Sequence, residues 1–245
     1  MSDLSLFQLV LVGLIFIWSG FVRAGLGFGG VALALPLMLL LIDNPVLWLP
    51  ICSSHLLIFS SWSVYDRLDN VDWGFVRRVM LVIIVPKIAG VLGLLKLPPE
   101  LVSNAIYTII IGYAITYLLN YQFSSKGKLV DNLMLVIGGY ASGVSLIGAP
   151  LISAVMVRHV AISRIRDTMF ALWIVLVSIK MSTFVLFGVD LQLRYMLYLL
   201  PFAAIGHWLG MQLHQHLIHG DGSRFKRVLG AALLVICVYG LWQNL

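Results

Sequence analysis

The sequence predicts an all-α integral membrane protein, a helical bundle of two repeats with roughly eight to ten membrane segments. Three observations carry this. Of the 245 residues, 61% are hydrophobic and only 11% are charged, far too apolar for a soluble domain of this length. The apolar residues fall into runs near the roughly 20 needed to cross about 30 Å of hydrocarbon. A glycine-rich break also occurs once in each half. The first is Ser19-Gly20-Phe21-Val22-Arg23-Ala24-Gly25-Leu26-Gly27-Phe28-Gly29-Gly30, running on to Pro36. The weaker second is Gly138-Gly139-Tyr140-Ala141-Ser142-Gly143-Val144-Ser145-Leu146-Ile147-Gly148-Ala149-Pro150. Glycine at that density predicts broken helices or re-entrant hairpins that expose main-chain N–H groups inside an oily protein.

Ten apolar segments follow in order. Leu4 to Val22 and Gly25 to Ile42 flank the first break, and either cross fully or turn back midway. Val46 to Val64 carries Cys52-Ser53-Ser54-His55, Val79 to Leu95 carries Lys87, and Leu101 to Leu119 closes the first half. Leu133 to Leu146 and Ile147 to Val160 are too short to span alone. They read as one re-entrant hairpin or as broken helices. Thr168 to Val189 carries Lys180, and Tyr195 to Leu213 and Phe225 to Leu245 complete the set. The halves, 1–122 and 130–245, echo each other at Asn70-Val71-Asp72-Trp73 and Gly188-Val189-Asp190-Leu191. They do so again at Pro86 to Gly93 and Pro201 to Gly210. An odd number of direction changes per half would make the second copy inverted.

Basic residues set the orientation. With alternating sides, Arg23, Arg67, Arg77, Arg78, Lys126, Lys128, Arg158, Arg164, Arg166, Arg224, Lys226 and Arg227 share one side, against Lys96 and Arg194 on the other. That side is the cytoplasm, with both termini outside. The net charge of +6 is therefore a topology signal, and no nucleic-acid partner is expected. Asp3 replaces a basic n-region, so no removable signal peptide is expected. Cys52 and Cys237 lie in apolar runs as small hydrophobes.

The remaining two cations, Lys87 and Lys180, fall near the bilayer centre, too deep to reach water. No Asp or Glu lies near the middle of any segment. A diffusible anion or a water-filled path explains such lysines; the structural alternatives are a buried carboxylate or capping by carbonyls of a broken helix. The absence of membrane carboxylates also argues against a cation or metal carrier. Ser182 and Thr183 accompany Lys180, and hydroxyls near a cation suit an oxyanion. Arg23 joins them if the first pair is a hairpin, and is otherwise a topology charge. In the third segment Trp48, Cys52, His55, Phe59 and Trp62 share one stripe, which reads first as packing, and Ser53 and Ser60 share another. Backbone N–H groups at half-helix starts beyond Gly29, Gly30 and Gly148 would complete an anion site. His214, His216 and His219 do not share a helical face, so no metal is expected. No cofactor is expected either.

The glycine-rich break ending at Pro36, its copy ending at Pro150, the Val-Asp-Trp turn and the two Pro-to-Gly segments together resemble the TauE/SafE sulfite exporter family, also called the 4-toluene sulfonate uptake permeases. The resemblance covers essentially the whole chain. It implies a two-repeat transporter of the bacterial cytoplasmic membrane that moves sulfite, sulfoacetate, other organosulfonates or thiosulfate. The second half departs from the pattern, with Ile147 where a glycine is expected and Pro150 close behind Gly148. The two sides of the site, Gly27, Gly29 and Gly30 on one and Ser142 and Ser145 on the other, are expected to differ.

The function expected is export of a small sulfur anion by alternating access around Lys87 and Lys180, with hydrogen bonds from Ser53, Ser54, Ser182, Thr183 and backbone amides. An interior-negative potential favours anion exit by about 2.3 kcal/mol per charge per 100 mV. Proton-coupled uptake is the alternative, with His55 or His207 as carrier. A membrane-embedded enzyme would need a Ser–His pair, yet neighbours such as Ser54 and His55 point about 100° apart on a helix. The partners expected are a small anionic substrate and the lipid bilayer, with a homo-oligomer open.

Overall fold

The computed structural model describes residues 5–26, 30–121, 127–217 and 222–244. Among them the chain forms ten α-helices: α1 (Leu6–Leu26), α2 (Gly30–Leu41), α3 (Pro45–Val64), α4 (Trp73–Lys96), α5 (Pro99–Leu118), α6 (Lys128–Ser145), α7 (Ala149–His159), α8 (Ile162–Leu186), α9 (Leu193–Leu217) and α10 (Gly222–Gln243). A single 3-10 turn, Leu68–Asn70, precedes α4. Every expected apolar segment has its helix. α1, α3, α4, α5 and α8 are each long and apolar enough to cross a membrane, and the protein is a multi-pass membrane protein.

Several helices start before the apolar run does. α4 begins six residues ahead of Val79 because the Asp72 carboxylate accepts from the Phe75 N–H at 2.8 Å and caps it. α3 opens on Pro45, where a missing N–H costs nothing, with the Asn44 Oδ1 accepting from the Leu47 N–H. α6 extends back to Lys128, so it is an 18-residue helix rather than a short run beginning at Leu133.

The helices following the glycine breaks stay short. α2 has 12 residues and α7 has 11, about 18 and 16 Å at the helical rise, half of what a crossing needs.

The helices gather into two compact units, each drawing on both halves of the sequence. The first unit holds α1, α2, α5, α9 and α10. Within it α1 packs along α9, α5 along α10, and α2 folds back on α1. Gly30, at the start of α2, sits against the Ser19 carbonyl and the Arg23 side chain. The second unit holds α4, α6, α7, α8, the 3-10 turn and α3 from Leu49 onward. There α6 and α7 form a helical hairpin. Gly148, at its tip, packs on Ser142 and Gly138, and Gly138 touches Ile152 one turn into α7. At its open end Asp131 of α6 pairs with Arg158 at 3.2 Å and with His159 at 2.8 Å from α7. Of the two forms expected of this pair, re-entrant hairpin or broken helices, the packing of α7 back on α6 shows a helical hairpin.

The start of α8 is strapped to the turn before α4. The Arg164 guanidinium donates to the carbonyls of Asp69, Asn70 and Val71. Asn70 Nδ2 donates to Asp167 at 2.6 Å, and the Asp72 N–H donates to the Thr168 hydroxyl at 3.0 Å. These bonds hold α4 and α8, the two helices that carry the deep lysines, in one axial register.

Candidate functional site

Lys87 lies 15 residues beyond the Asp72 cap, about 22 Å along α4. Its neighbour Gly90 makes the position useful. α4 and α6 cross where Gly90 faces Gly143, close enough that a methyl on Gly143 would strike the Lys87 carbonyl and one on Gly90 the Tyr140 carbonyl. This contact brings the Lys87 Nζ to the Ser142 carbonyl at 3.1 Å and the Ser142 Oγ at 2.9 Å. From α8, the Lys180 Nζ donates to the Gly143 carbonyl at 2.7 Å and to the Val144 carbonyl at 3.3 Å. It also sits 5.5 Å from the centre of the Phe184 ring, within cation–π range. Both lysines are 0% exposed. Two ammonium groups thus meet on three consecutive carbonyls at the end of one helix.

The last carbonyls of a helix lack intrahelical partners and carry the negative end of its dipole, so they are natural ligands for a cation. Of the structural alternatives, carbonyl capping is therefore the one present, and no carboxylate among the described residues bonds either lysine. Among the described residues the ion pair is that of Asp131 with Arg158, with His159 hydrogen-bonded to the same carboxylate, at the open end of the hairpin.

Capping leaves the charge unbalanced. A helix C-terminus offers about half a negative charge, against two positive ones when both amines are protonated. Each ammonium has three N–H donors and directs two of them to α6. One donor on each amine remains for a ligand oxygen.

The other expected site residues divide. Ser142 belongs to the cluster through its hydroxyl and its carbonyl. Ser145 is fully buried but donates its hydroxyl to the Ala141 carbonyl at 2.9 Å. Thr183 is buried beside Lys180 and likewise donates to Ile179 at 2.8 Å. Ser182 is exposed on the far side of α8 and is not brought to the lysines. In α3, Ser53, Ser54 and His55 are all buried, and the Ser53 Oγ has no hydrogen-bond partner. Cys52, the residue before Ser53, lies within electrostatic reach of Lys180. His55 packs edge-on to Phe59, ring centres 6.4 Å apart, and the stripe from Trp48 to Phe59 is buried as packing while Trp62 emerges at its end.

Gly148 caps α7 at the hairpin tip. Arg23 is buried in α1, and Gly30 packs on its Cβ; both belong to the first unit. Gly27 and Gly29 lie outside the described residues.

Sequence reasoning named carbonyl capping only in general, as an alternative to an anion, and did not single out Gly143 and Val144 as the ligands. The available signal was the pair of small-residue segments, Pro86 to Gly93 and Gly138 to Gly148, whose glycines allow the backbones to meet.

A sequence model described as sulfite exporter TauE/SafE matches residues 11–240. No curated protein and no solved structure matches the chain.

Proposed function

Because the chain belongs to the TauE/SafE sulfite exporter family, a family of membrane transporters, we propose that it exports small sulfur-containing anions such as sulfite, sulfoacetate or other organosulfonates. The site is the Lys87–Lys180 pair, working by alternating access near the membrane midplane. The observation that carries this reading is the pair of fully buried lysine amines on adjacent carbonyls of α6, with no carboxylate among the described residues bound to either. A sulfur oxyanion supplies the missing negative charge and accepts the uncommitted N–H of each lysine. Ser53 and Ser142 supply hydroxyl donors from either side, and Ser54 and His55 line the same stretch of α3. Backbone N–H groups at the start of α7 beyond Gly148 add the positive end of a half-helix dipole.

In the first unit, Arg23 beside Gly30 at the start of α2 is the corresponding cation and half-helix, and the preceding glycines, Gly27 and Gly29, continue the segment. The halves 1–122 and 130–245 act as duplicated, inverted units. The protein resides in the bacterial cytoplasmic membrane with both termini outside, the orientation that its basic residues favour. Export follows the membrane potential without a coupling ion. A transporter family leaves no role for a Ser–His nucleophile, in keeping with the geometry of adjacent helical positions.

The test is purified protein in liposomes loaded with labelled sulfite, sulfoacetate or thiosulfate, with efflux measured under an imposed potential. Unchanged flux in both Lys87→Ala and Lys180→Ala would remove this site. Flux into the liposomes that requires a proton gradient would reverse the direction.

A further inference from the structure

α1 and α9 of the first unit run parallel. Gly210 faces the Phe21 carbonyl, Gly206 faces the Ile17 carbonyl, and nearer the helix starts Gly13 faces the Phe202 ring, so the numbers rise together along both helices. On that register Ser5 stands level with Arg194, and Leu9 with Tyr198. Glycine lets the two backbones touch, and neither helix has another glycine between the Gly13–Phe202 contact and its start. There the helices are held apart by side chains. A groove of about 350 Å³ opens between Leu9 and Val12 of α1 and Leu199 and Phe202 of α9, with Arg194, Tyr195 and Tyr198 at its upper end. That volume is at the low end of small-molecule sites, about 300 to 1,000 Å³. Leu9 and Phe202 are 47% and 41% exposed, so the groove opens outward along a helix apolar enough to cross the membrane.

The lining changes character along the helix axis. The lower wall is hydrocarbon, while the upper end carries a guanidinium and two phenols. Ser5 and Gln8 put the polar boundary at the same level, the Ser5 N–H donating to the Gln8 Oε1 at 2.9 Å where α1 begins.

Arg194 is out of place by two physical rules. It lies in the first turn of α9, which holds no acidic residue, and the helix dipole repels a cation there. The alternation of basic residues also sets it, with Lys96, on the side that the other loop arginines and lysines avoid. Among the described residues no carboxylate forms an ion pair with it. Its guanidinium lies 5.7 Å from the centre of the Tyr198 ring, and its five N–H donors exceed what one neighbouring phenol can accept.

We propose that this groove binds one anionic phospholipid. The phosphate sits on Arg194 between the Tyr195 and Tyr198 hydroxyls, and an acyl chain lies down the groove along Leu9, Val12, Leu199 and Phe202. A phosphate supplies the negative charge that the first turn of α9 favours, and a guanidinium can hold it through two parallel N–H bonds. The hydrocarbon wall below requires a tail, which a free anion lacks.

Thermal unfolding of the detergent-purified protein, with lipid retention read by native mass spectrometry, tests this on titration with phosphatidylglycerol, phosphatidylcholine or inorganic phosphate. Phosphatidylglycerol is expected to raise the melting temperature saturably, phosphatidylcholine to bind about tenfold more weakly, and phosphate to give no shift. Arg194→Gln is expected to weaken phosphatidylglycerol binding about tenfold, the worth of a charge-assisted hydrogen bond, with the gap narrowing as salt screens the charge. Lys96→Gln removes the other cation assigned to that side and is expected to change nothing. Leu9→Trp fills the groove at an exposed position and is expected to abolish lipid retention while melting in lipid-free detergent stays the same.

Equal shifts from phosphatidylcholine would make the groove ordinary lipid contact and overturn the proposal. An equal loss in Lys96→Gln, which means diffuse surface charge, or a shift from phosphate alone, which means a free-anion site, overturns it as well. Should Arg194→Gln fail to fold, Leu9→Trp decides, and unchanged retention there overturns the site. Lipid binding in this groove stands or falls separately from sulfite flux through the lysine pair.

Discussion

The two compact units contain the same kind of helix crossing, and only the second carries a lysine at it. In the first unit Gly20 of α1 faces the Ala203 carbonyl and the His207 N–H of α9, and Gly206 of α9 faces the Ile17 carbonyl. In the second, Gly143 of α6 faces the Lys87 carbonyl and Gly90 of α4, and Gly90 faces the Tyr140 carbonyl. A Ser-Gly pair, Ser19-Gly20 or Ser142-Gly143, meets a helix with a proline a turn or less ahead of the contact, Pro201 or Pro86. Ala203 and Lys87 occupy matching places. The close approach is thus a packing device that needs no charge, as expected where small residues let backbones pack without a hydrophobic drive between helices. The lysine is chemistry added to a crossing that already holds.

The largest expected effect comes from making the second crossing like the first. Lys87→Ala should lower sulfite flux about 10- to 100-fold, the worth of a charge-assisted hydrogen bond. Thermal stability should not drop, because a buried charge leaves together with its desolvation penalty. A stability loss as large as the flux loss would make Lys87 a structural cap.

Next are Gly143→Ala and Gly206→Ala. Each puts a methyl into a facing carbonyl and should cost about 1–3 kcal/mol, read from thermal unfolding in detergent. A loss at only one of them would break the likeness between the crossings.

Asp131→Asn comes third. It weakens the closure of the α6–α7 hairpin, and because Arg158 is 41% exposed the expected loss is only about 1 kcal/mol. The smallest effect belongs to the hairpin tip. Leu146 sits in the left-handed region at φ 63°, a strain of about 1 kcal/mol for a residue with a side chain. Leu146→Gly relieves it but gives up a half-buried side chain, so melting should change little. A large loss would show that the leucine, rather than the turn, anchors the tip.

Hydropathy located all ten helices because oil selects apolar residues wherever a helix lies in it. It misplaced the starts of α4, α6 and α8, since Trp73, Lys128 and Ile162 are helical while still outside the apolar run. Backbone hydrogen bonding continues past the hydrocarbon boundary as long as a cap such as Asp72 supports it. The two lysines stood out on depth alone. Ser182 was grouped with Lys180 through nearness in the chain, yet two residues along a helix is about 200° of rotation, and it faces outward.

Composition and spacing were enough to settle that this chain is a helical membrane protein with two lysines deep in its apolar segments. Those properties depend on how much apolar residue lies in a row, which is local. What the lysines touch depended on the fold, because the carbonyls of Ser142, Gly143 and Val144 lie far from Lys87 and Lys180 in the chain. They become ligands only where α4 and α8 are held against the end of α6. A hydrogen bond is a matter of about 3 Å, and only the packing of Gly90 on Gly143 brings the groups within it.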